Sequence, residues 1–502
     1  MEIKNFVPRE YQENIVKTCL NKNTLVVLPT GTGKTKIALL LAVNRLKSNP
    51  NSKILLCTPT KPLANQICNE FKDFTTINKE SIKLFTGAIK PEKRSQMWEA
   101  STVVTATPQT IQKDLENKRI SLENVCLLVL DEAHHSRLKY ANTIVAKYYN
   151  EQAKDPRILA LTASPGGTRA KIEEIKKNLF VESVEIRADF DDDIKEHVQD
   201  KSKEQILIDL PEEFKQIRGM IKKVYKERAG EVEKFGLSKS PSSITKRDLI
   251  FLQNRLRKDI ERGYAWAYYG LSLSAQLLKL DYMIELLETQ GLKQFKIYFD
   301  KLNMEETKAA RNIRTNKDIL SAMSLTKKLL DKGVDHPKVN KLKELINKEL
   351  AINKAAKVIV FANYRDTISE IISSLSKEGI KAVRFVGQAN KREKGLNQKE
   401  QVEILRQFKD GLFNILVASS VAEEGIDIPE VAAVIFYEPV ASELRKVQRS
   451  GRTGRLKPGK VIFLVTKGTK DEAYYWSSIR KENIMKRTLY RMQNKDYLTT
   501  NK

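Results

Sequence analysis

The sequence predicts an α/β protein in which two parallel-sheet domains stand in tandem with an all-helical insertion between them. Short apolar runs alternate with helical patterns in the first third of the chain and again after about residue 355. Parallel strands joined by helices have this pattern. Between roughly residues 205 and 345 the apolar runs stop, and amphipathic helices rich in Lys, Arg, Leu and Ile follow. A chain of 502 residues is long enough for about three domains.

We therefore expect a first α/β domain at residues 1–204, a basic helical insertion at 205–345 and a second α/β domain at 346–502 that ends in a basic helix. The strands predicted for the first domain are 25–28, 54–57, 103–106, 127–130 and 158–161. Those predicted for the second domain are 358–361, 383–386, 415–417, 434–437 and 461–465. Glycine and proline predict breaks within the helical insertion at 236–243 and 333–337.

The charge of the chain indicates the class of its partner. A formal net charge of +26 favours a polyanion, with nucleic acid ahead of an anionic membrane surface, although a generally lysine-rich composition is an alternative explanation. The four cysteines form no CxxC pair, which argues against a disulfide framework or a zinc site. The early apolar runs are too short to span a bilayer, so we expect an intracellular protein without a membrane anchor.

A glycine-rich loop at residues 29–35, Pro-Thr-Gly-Thr-Gly-Lys-Thr, lies between the first predicted strand and a helical pattern. Gly31 and Gly33 allow backbone N–H groups to approach phosphate oxygens closely. Lys34 can reach the β- and γ-phosphates of a nucleotide, and Thr35 can ligate Mg²⁺. The stricter form of this loop has one more glycine where Leu28 stands, but the position between strand and helix still predicts nucleotide binding.

An acidic pair, Asp131 and Glu132, directly follows the strand predicted at 127–130. A carboxylate at a strand end beside a phosphate loop can hold a metal ion through water, and a neighbouring carboxylate can polarise the attacking water. We assign Asp131 to the metal and Glu132 to the water as its base. Alone, the pair is also typical of a helix cap, but its combination with Lys34 favours hydrolysis of a nucleotide.

Three arginines at three-residue intervals, Arg449, Arg452 and Arg455, lie in the glycine-containing segment 448–455. Glycine allows close backbone approach and arginine keeps a planar, permanent charge, so such a segment can direct guanidinium groups at a polyphosphate. Because this segment lies more than four hundred residues after the loop, the pair of motifs predicts a nucleotide held between the two α/β domains.

These motifs, together with Thr162-Ala163-Ser164 and in this order, resemble the DExH side of the superfamily 2 helicases. In that superfamily two RecA-like domains bind ATP in their cleft and nucleic acid across their top. The segments that narrow the resemblance to the archaeal Hef helicases and the Fanconi anaemia M-type DNA translocases are 361–367, 385–389, 395–401, 418–429 and 436–440. With the helical insertion included, the resemblance covers nearly the whole chain.

The resemblance implies roles for individual residues. Arg452 and Arg455 are its arginine-finger candidates, and Thr162 and Ser164 are expected to couple hydrolysis to domain closure. The residues that it places around ATP are Arg9, Gln12, Thr30, Gly31, Thr32, Gly33, Lys34, Thr35, Gly425, Asp427, Gln448, Arg452 and Arg455. The residues in segments that contact the nucleic-acid backbone are Thr60, Lys61, Thr107, Gln109, Arg365, Gln388 and Ser419.

The function that the resemblance implies is that of an ATP-dependent DNA helicase or translocase, with ATP and Mg²⁺ as cofactors. It would act on forked or branched DNA, and on single-stranded DNA, in the repair of stalled replication forks. We also expect a monomeric helicase portion, a location at the nucleoid of an archaeon and a nuclease that acts in trans.

Three other classes of protein are alternatives to a DNA helicase. An ATP-dependent RNA helicase, or an ATPase stimulated by double-stranded RNA, similar to the Dicer and RIG-I-like relatives, shares the nucleotide motifs and differs in substrate. A DNA-binding scaffold without turnover fits less well, because the residues needed for hydrolysis are all present, namely Lys34, Asp131, Glu132 and Arg455. A membrane-surface ATPase has the charge but lacks an amphipathic anchor.

An aromatic cluster in the insertion allows two interpretations. Tyr264, Trp266, Tyr268 and Tyr269 could stack on nucleic-acid bases. Aromatic residues at helical spacing usually pack against other helices, and we therefore favour a place in the core for this cluster.

Overall fold

The computed structural model describes residues 1–137, 140–189, 191–197, 201–387, 395–419, 422, 428–453 and 459–500. Two parallel β-sheets dominate the described residues, and a bundle of helices lies between them in the sequence. The predicted fold class is thereby confirmed. None of the helices described combines the length and the apolar composition that a bilayer crossing requires.

The first sheet has seven strands in the order β3-β4-β2-β5-β6-β1-β7, and every pair is parallel. Its strands are β1 (Thr24–Val27), β2 (Lys53–Cys57), β3 (Ile82–Phe85), β4 (Val103–Ala106), β5 (Val125–Leu130), β6 (Ile158–Thr162) and β7 (Ser183–Ile186). Alternate residues enter different cores, so that Leu25 and Val27 pack on one face while Val26 packs on the other. Burial on both faces explains why most of these strands are continuous apolar runs.

Helices cover both faces of this sheet. They are α1 (Glu10–Asn21), α2 (Lys34–Ser48), α3 (Lys61–Phe74), α4 (Pro91–Glu99), α5 (Pro108–Glu116), α6 (Ala141–Gln152), α7 (Arg169–Asn178) and the short α8 (Asp192–Lys195). Proline occupies the first or second position of α3, α4 and α5, where its missing N–H is not needed. Helices α3, α4 and α5 therefore each begin after the turn that follows a strand.

The second sheet has six strands in the order β10-β11-β9-β12-β13-β8, again all parallel. Its strands are β8 (Lys201–Ile208), β9 (Val358–Phe361), β10 (Ala382–Phe385), β11 (Ile415–Ala418), β12 (Ala433–Phe436) and β13 (Gly459–Thr466). Residue 204, where we placed the end of the first domain, lies inside β8. This strand pairs with β13 along its whole length, so the second sheet takes its edge strand from before the insertion.

The helical insertion forms two apolar cores of its own. Its helices are α9 (Glu212–Val232), α10 (Lys246–Glu261), α11 (Trp266–Thr289), α12 (Leu292–Asn303), α13 (Lys308–Arg314) and α14 (Lys317–Asp331). The next helix, α15 (Pro337–Ile352), contributes Val339, Leu342 and Ile346 to the core of the second sheet. Both predicted breaks lie between helices, before α10 and before α15, whereas the boundary expected at residue 345 lies inside α15.

The remaining helices are α16 (Arg365–Ser376), α17 (Gln398–Lys409), α18 (Glu443–Ser450) and α19 (Lys470–Thr500). Helix α19 leaves the second sheet and returns to the first domain, where Met485, Leu489 and Met492 belong to the core. There the Ile186 N–H donates to Gln493 Oε1 over 2.9 Å, and Tyr490 Oη donates to Asp191 Oδ2 over 2.6 Å. The C-terminal helix thus joins the two α/β domains.

A buried ion pair fixes the beginning of this helix. Lys338, in the first turn of α15, pairs with Asp471, in the first turn of α19, and both side chains are almost fully buried. Burial raises the pKa of Asp471, and the charge of Lys338 opposes that shift. Because a buried charge without a partner is costly, each residue depends on the other.

We expect Lys338→Met to lower the free energy of unfolding by about 3–5 kcal/mol, because it leaves the Asp471 carboxylate buried and unpaired. The double variant Lys338→Met/Asp471→Leu should recover part of that loss, since both charges are then absent. Urea unfolding followed by circular dichroism measures both. Lys341→Met is the matched control, because Lys341 lies on the same helix in a partly exposed pair with Glu344 and should change stability little. A similar loss in both single variants would contradict this account.

Candidate functional site

The glycine-rich loop connects β1 to α2 and has the shape of an anion cradle. Gly31 and Gly33 have φ values of 85° and 77°, a left-handed conformation that favours glycine. Lys34 Nζ donates to the carbonyl oxygens of Leu28 and Pro29, each over 3.1 Å, and so lies across the loop. The N-terminus of the 15-residue helix α2 follows at once. Loop N–H groups, the helix terminus and the Lys34 ammonium together favour a phosphate at this point.

Residues at the start of α1 form hydrogen bonds to the glycine-rich loop. The Tyr11 hydroxyl donates to the carbonyl oxygen of Thr32, and Gln12 Nε2 lies 3.4 Å from the same oxygen. Gln12 Oε1 also accepts from the Arg9 N–H over 3.1 Å. The structure thus places Arg9 and Gln12 beside the loop. Sequence reasoning missed Tyr11, which is fully buried, because a single tyrosine in a helix gives no local signal.

The acidic pair follows β5, two strands away from β1 in the sheet. The Asp131 N–H donates to the Cys57 carbonyl over 2.9 Å, which fixes the strand end. Burial and the neighbouring Glu132 raise the pKa of Asp131, and the positive charge of Lys34 opposes this shift. Lys34 and Asp131 therefore act on one another electrostatically. A cation between them and a phosphate would relieve the cost of burying this carboxylate.

His134 connects Glu132 of the acidic pair to Thr162 at the end of β6. Glu132 has a left-handed backbone with φ 49°, and its buried Oε2 lies 3.3 Å from His134 Nδ1. Among the described residues this oxygen accepts no hydrogen bond, so it remains able to accept one from water. His134 Nδ1 is also 3.2 Å from Thr162 Oγ1, which accepts from the Ser164 N–H over 3.1 Å. A continuous polar path therefore runs from the acidic pair to Ser164.

The path continues into the C-terminal helix. The Ser164 hydroxyl donates to Met485 Sδ over 3.0 Å, and both residues are buried. Farther back along α19, Glu482 pairs with Lys446 of α18 over 3.0 Å. Helix α18 carries the beginning of the arginine segment. Met485 was not predicted, because its partner lies more than three hundred residues away in the sequence.

The arginine segment meets the glycine-rich loop. Gly451 packs against Thr30 so closely that a methyl group added at Gly451 would lie 2.7 Å from Thr30 Cβ. Gln448 and Arg452, on either side of Gly451, are buried. The nucleotide predicted between the two domains would therefore lie at this junction. Arg455, which we placed beside Arg452 as an arginine finger, lies outside the described residues.

Arg449 occupies a different position from the one that its spacing indicates. It is fully buried, its guanidinium lies 4.8 Å from the centre of the Phe361 ring, and its Nη2 donates to Asn363 Oδ1 over 3.1 Å. Arg449 still belongs to α18, whereas Arg452 follows the end of that helix. The three-residue repeat therefore does not place these two arginines on one face.

The candidates for nucleic-acid contact follow the carboxyl ends of parallel strands. Thr60 and Lys61 follow β2, and Thr107 and Gln109 follow the neighbouring strand β4. In the second sheet Arg365 follows β9, and Ser419 follows the neighbouring strand β11. Lys61 and Gln109 are exposed, whereas Ser419 is nearly buried and its N–H donates to the Phe385 carbonyl over 3.0 Å. Gln388, Gly425 and Asp427, also predicted as site residues, lie outside the described residues.

The described residues fit a nucleoside triphosphate with a magnesium ion. The loop N–H groups and Lys34 would hold the phosphates, and Thr35, in the first turn of α2, would supply a hydroxyl ligand. Asp131 would hold the ion through water, and Glu132 Oε2, a buried oxygen that accepts no hydrogen bond among the described residues, would accept one from the attacking water. Positive charge on one side and two carboxylates on the other are what hydrolysis of a phosphoanhydride requires.

Comparison with family models gives three matches. The DEAD/DEAH box helicase family matches residues 9–175, and the helicase conserved C-terminal domain matches residues 337–457. A helical bundle, provisionally described as that of ATP-dependent RNA helicases, matches residues 213–340. Together the matches cover the glycine-rich loop, the acidic pair, nearly all of the insertion and the whole arginine segment.

Individual proteins are similar over nearly the whole chain. The crystal structure of the Pyrococcus furiosus Hef helicase domain is 44% identical with a TM-score of 0.75, and the match covers 94% of this chain and 98% of that chain. A Methanocaldococcus jannaschii protein, provisionally named an ATP-dependent RNA helicase, is 41% identical over 97% of this chain and 61% of its own length. The ATP-dependent DNA helicase MPH1 of Pyricularia oryzae is 33% identical over 95% of this chain and 45% of its own length. The chain thus spans about half the length of these two curated relatives.

We expect Gly451→Ala to lower ATP hydrolysis about 5- to 100-fold, since overpacking against Thr30 costs about 1–3 kcal/mol. Steady-state phosphate release at saturating ATP measures the effect. Gly219→Ala is the control, because a methyl group at this helical glycine of α9 meets no atom within 4 Å. Equal rates in the two variants would show that Gly451 and Thr30 do not approach during turnover.

We expect Met485→Ala to reduce the stimulation of ATP hydrolysis by nucleic acid more than Met492→Ala does. Both methionines lie on α19 in the same core, so each truncation should cost a similar 2–5 kcal/mol of stability. Only Met485 is bonded to Ser164 in the described residues. Hydrolysis is compared with and without DNA at a temperature where both variants are folded. Identical stimulation in both would mean that the Met485 contact does not transmit the nucleotide state.

Proposed function

Since the chain belongs to the family of the Hef helicase domain within the DEAD/DEAH box helicases, and is an ATP-dependent helicase, we propose that it translocates on forked or branched DNA in DNA repair. The observation that carries the ATP-driven part is the close approach of Gly451 to Thr30, which brings the arginine segment of one domain to the phosphate loop of the other. The similarity to the Hef helicase domain and to a DNA helicase of the MPH1 type supports DNA as the substrate.

The hydrolysis step follows from the positions of the site residues. Lys34 and the loop N–H groups neutralise the β- and γ-phosphates of ATP. A magnesium ion, held by Thr35 and through water by Asp131, would screen the phosphate charge when bound. Glu132 orients the attacking water and accepts its proton. Arg452, next to Gly451, then stabilises the negative charge on the transferred phosphoryl group, with Arg455 as the second arginine of this proposal.

The polar path from Glu132 to Met485 offers a route by which hydrolysis changes the domain arrangement. Loss of the γ-phosphate alters the hydrogen bonding of Glu132, which faces His134. His134 in turn faces Thr162, and Ser164 reaches Met485 on α19. Because α19 is also tied to α18 by the pair of Lys446 and Glu482, the arginine segment can withdraw as the path rearranges.

Nucleic acid would lie along the carboxyl edges of the two sheets. Hydroxyl, amide and guanidinium groups from Thr60, Thr107, Gln109 and Arg365 suit phosphate oxygens and carry no sequence information. Closure and opening of the cleft would then move one strand by small steps, whatever its sequence. A monomeric helicase portion, a nuclease acting in trans and a place at the nucleoid belong to this proposal as its expected setting.

The RNA-helicase alternative is supported by two provisional descriptions, that of the Methanocaldococcus jannaschii relative and that of the helical-bundle model. It shares every nucleotide contact described above and differs only in the polynucleotide that stimulates turnover. The choice between DNA and RNA therefore has to be made by measuring that stimulation.

The test is steady-state ATP hydrolysis with Mg²⁺ at one fixed salt concentration, because binding through phosphates is salt-dependent. Reactions contain no nucleic acid, single-stranded DNA, linear duplex, forked DNA or double-stranded RNA. We expect the strongest stimulation from forked DNA. Strongest stimulation by double-stranded RNA would replace the proposal with the RNA alternative, and absence of turnover would leave a scaffold.

The matched variant is Lys34→Ala, which should lower turnover about 100-fold or more, because it removes a preorganised charge from the phosphates. Affinity for DNA, measured by fluorescence anisotropy, should stay near that of the unmodified chain, since Lys34 lies at the nucleotide cleft. Equal loss of both activities would indicate misfolding, which circular dichroism of the variant distinguishes.

A further inference from the structure

The aromatic cluster of the insertion is on the surface. Tyr264, Trp266, Tyr268 and Tyr269 are 50%, 51%, 63% and 42% exposed. The core position that we favoured from helical spacing is therefore wrong for these side chains. Tyr264 precedes α11, and the other three lie in its first turn, where Ala267 is buried in the insertion core while these side chains stay exposed. Large aromatic groups collected on a surface in this way mark a binding site more often than chance.

The cluster is ordered rather than scattered. The Phe235 ring stacks on Trp266 with centroids 6.1 Å apart and an angle of 28°, and Tyr264 lies 5.9 Å from Trp266 at 32°. Phe235 lies directly over Gly270, where an added methyl group would be 2.7 Å from its ring. Arg255 donates from its guanidinium to the Phe235 carbonyl oxygen. Trp266, inclined by 28° to the Phe235 ring and by 32° to the Tyr264 ring, forms with them what we call the aromatic platform, defined as Phe235, Tyr264 and Trp266.

A row of cations leads to this platform along α10. Arg247, Phe251, Arg255, Lys258 and Arg262 follow one another at intervals of four, four, three and four residues, which places them on one helix face. All five are exposed. Arg247 and Lys258 form no ion pair within the described residues, whereas Arg262 lies 3.7 Å from Asp259. We call the four cations Arg247, Arg255, Lys258 and Arg262 the basic row.

We propose that the basic row and the aromatic platform bind an unpaired segment of DNA at a branch point, with the row on its phosphates and Trp266 stacked on a base. The inference rests on the proposed function and adds to it the feature of a fork that the insertion recognises. Single-stranded nucleic acid is bound elsewhere by this combination of a cationic track and aromatic faces.

Charge and ring geometry favour this occupant over an apolar protein surface. A protein groove that receives aromatic side chains would have to leave the cations of the basic row solvated or paired, whereas a nucleic-acid backbone neutralises them. Duplex DNA presents its base faces only at ends and branches, so rings such as Trp266 and Tyr264 can stack on bases where pairing stops. The platform therefore distinguishes a fork from a continuous duplex without reading sequence.

The experiment uses the full chain and a fork that carries the fluorescent base 2-aminopurine in the unpaired arm next to the branch. We expect the unmodified chain to quench this base on binding. Trp266→Ala should abolish the quenching and weaken fork binding about 5- to 100-fold, the range for loss of one base–aromatic stack. Trp266→Phe should keep most of both, because a smaller ring still stacks. Affinity for a blunt duplex of the same length should be unchanged in both variants.

Trp476→Ala is the matched control, because Trp476 on α19 is 50% exposed and lies outside the platform. It should bind and quench like the unmodified chain. Unchanged quenching and affinity in Trp266→Ala would overturn the inference and leave the cluster as a surface for a protein partner. Equal weakening for fork and blunt duplex would also overturn it. In either case fork-stimulated ATP hydrolysis by the unmodified chain would still stand, whereas absence of that stimulation would count against the proposed function itself.

Discussion

The position of α15 on the second α/β domain depends on one buried charge. Lys338 is fully buried, pairs with Asp471, and lies 5.4 Å from the centre of the Tyr437 ring. Burial raises the pKa of Glu438 to about 7, and the charge of Lys338 is the largest influence that lowers it. A lone ion in such a setting would be strongly unfavourable, so α15, the end of β12 and the start of α19 have to meet at this point. Three segments that are far apart in the sequence are thereby held in one arrangement.

From this joint, hydrogen bonds lead toward the nucleotide cleft. Glu438 Oε2 accepts from the Asn363 N–H over 2.8 Å, and Asn363 Oδ1 accepts from Arg449 over 3.1 Å. Arg449 belongs to α18, whose end brings Gly451 to the phosphate loop. The charge of Arg449 serves to position the arginine segment and not to contact a phosphate. Helix α15 and the cleft thus share a polar framework, in which the hydrogen bonds of Glu438, Asn363 and Arg449 polarise one another.

Sequence reasoning succeeded where one local pattern determines the structure. Strands Val103–Ala106 and Val358–Phe361 have the predicted bounds, because strands buried on both faces are continuous apolar runs. The strands β3, β7 and β8 were not predicted. They lie at sheet edges, and the polar residues 202–204 of β8 are exposed.

The difference between local sequence patterns and contacts of distant residues also explains what could be predicted of the site. The loop and the acidic pair are local motifs, and they were found. The contacts of Gly451 with Thr30 and of Met485 with Ser164 join residues more than three hundred positions apart. Hydropathy at one position does not reveal a partner elsewhere, so these residues were assigned by resemblance or missed. The exposure of the aromatic cluster Tyr264, Trp266, Tyr268 and Tyr269 was misjudged for a related reason, since helical spacing does not show which side of a helix its neighbours leave uncovered.

The return of α19 to the first domain lowers the free energy that ATP binding would have to supply for domain closure. The two α/β domains are joined twice, by the chain that enters β8 and by a helix whose Leu489 and Met492 are buried in the first core. In the proposed mechanism, closure of the cleft is therefore an intramolecular step, and the effective concentration of Arg452 at the phosphate would be on the order of millimolar or higher even with the cleft open. Most of the entropy of bringing the domains together is lost when the chain folds. The binding of ATP would then have only to select an orientation, so a small change at the γ-phosphate would be sufficient to reverse it.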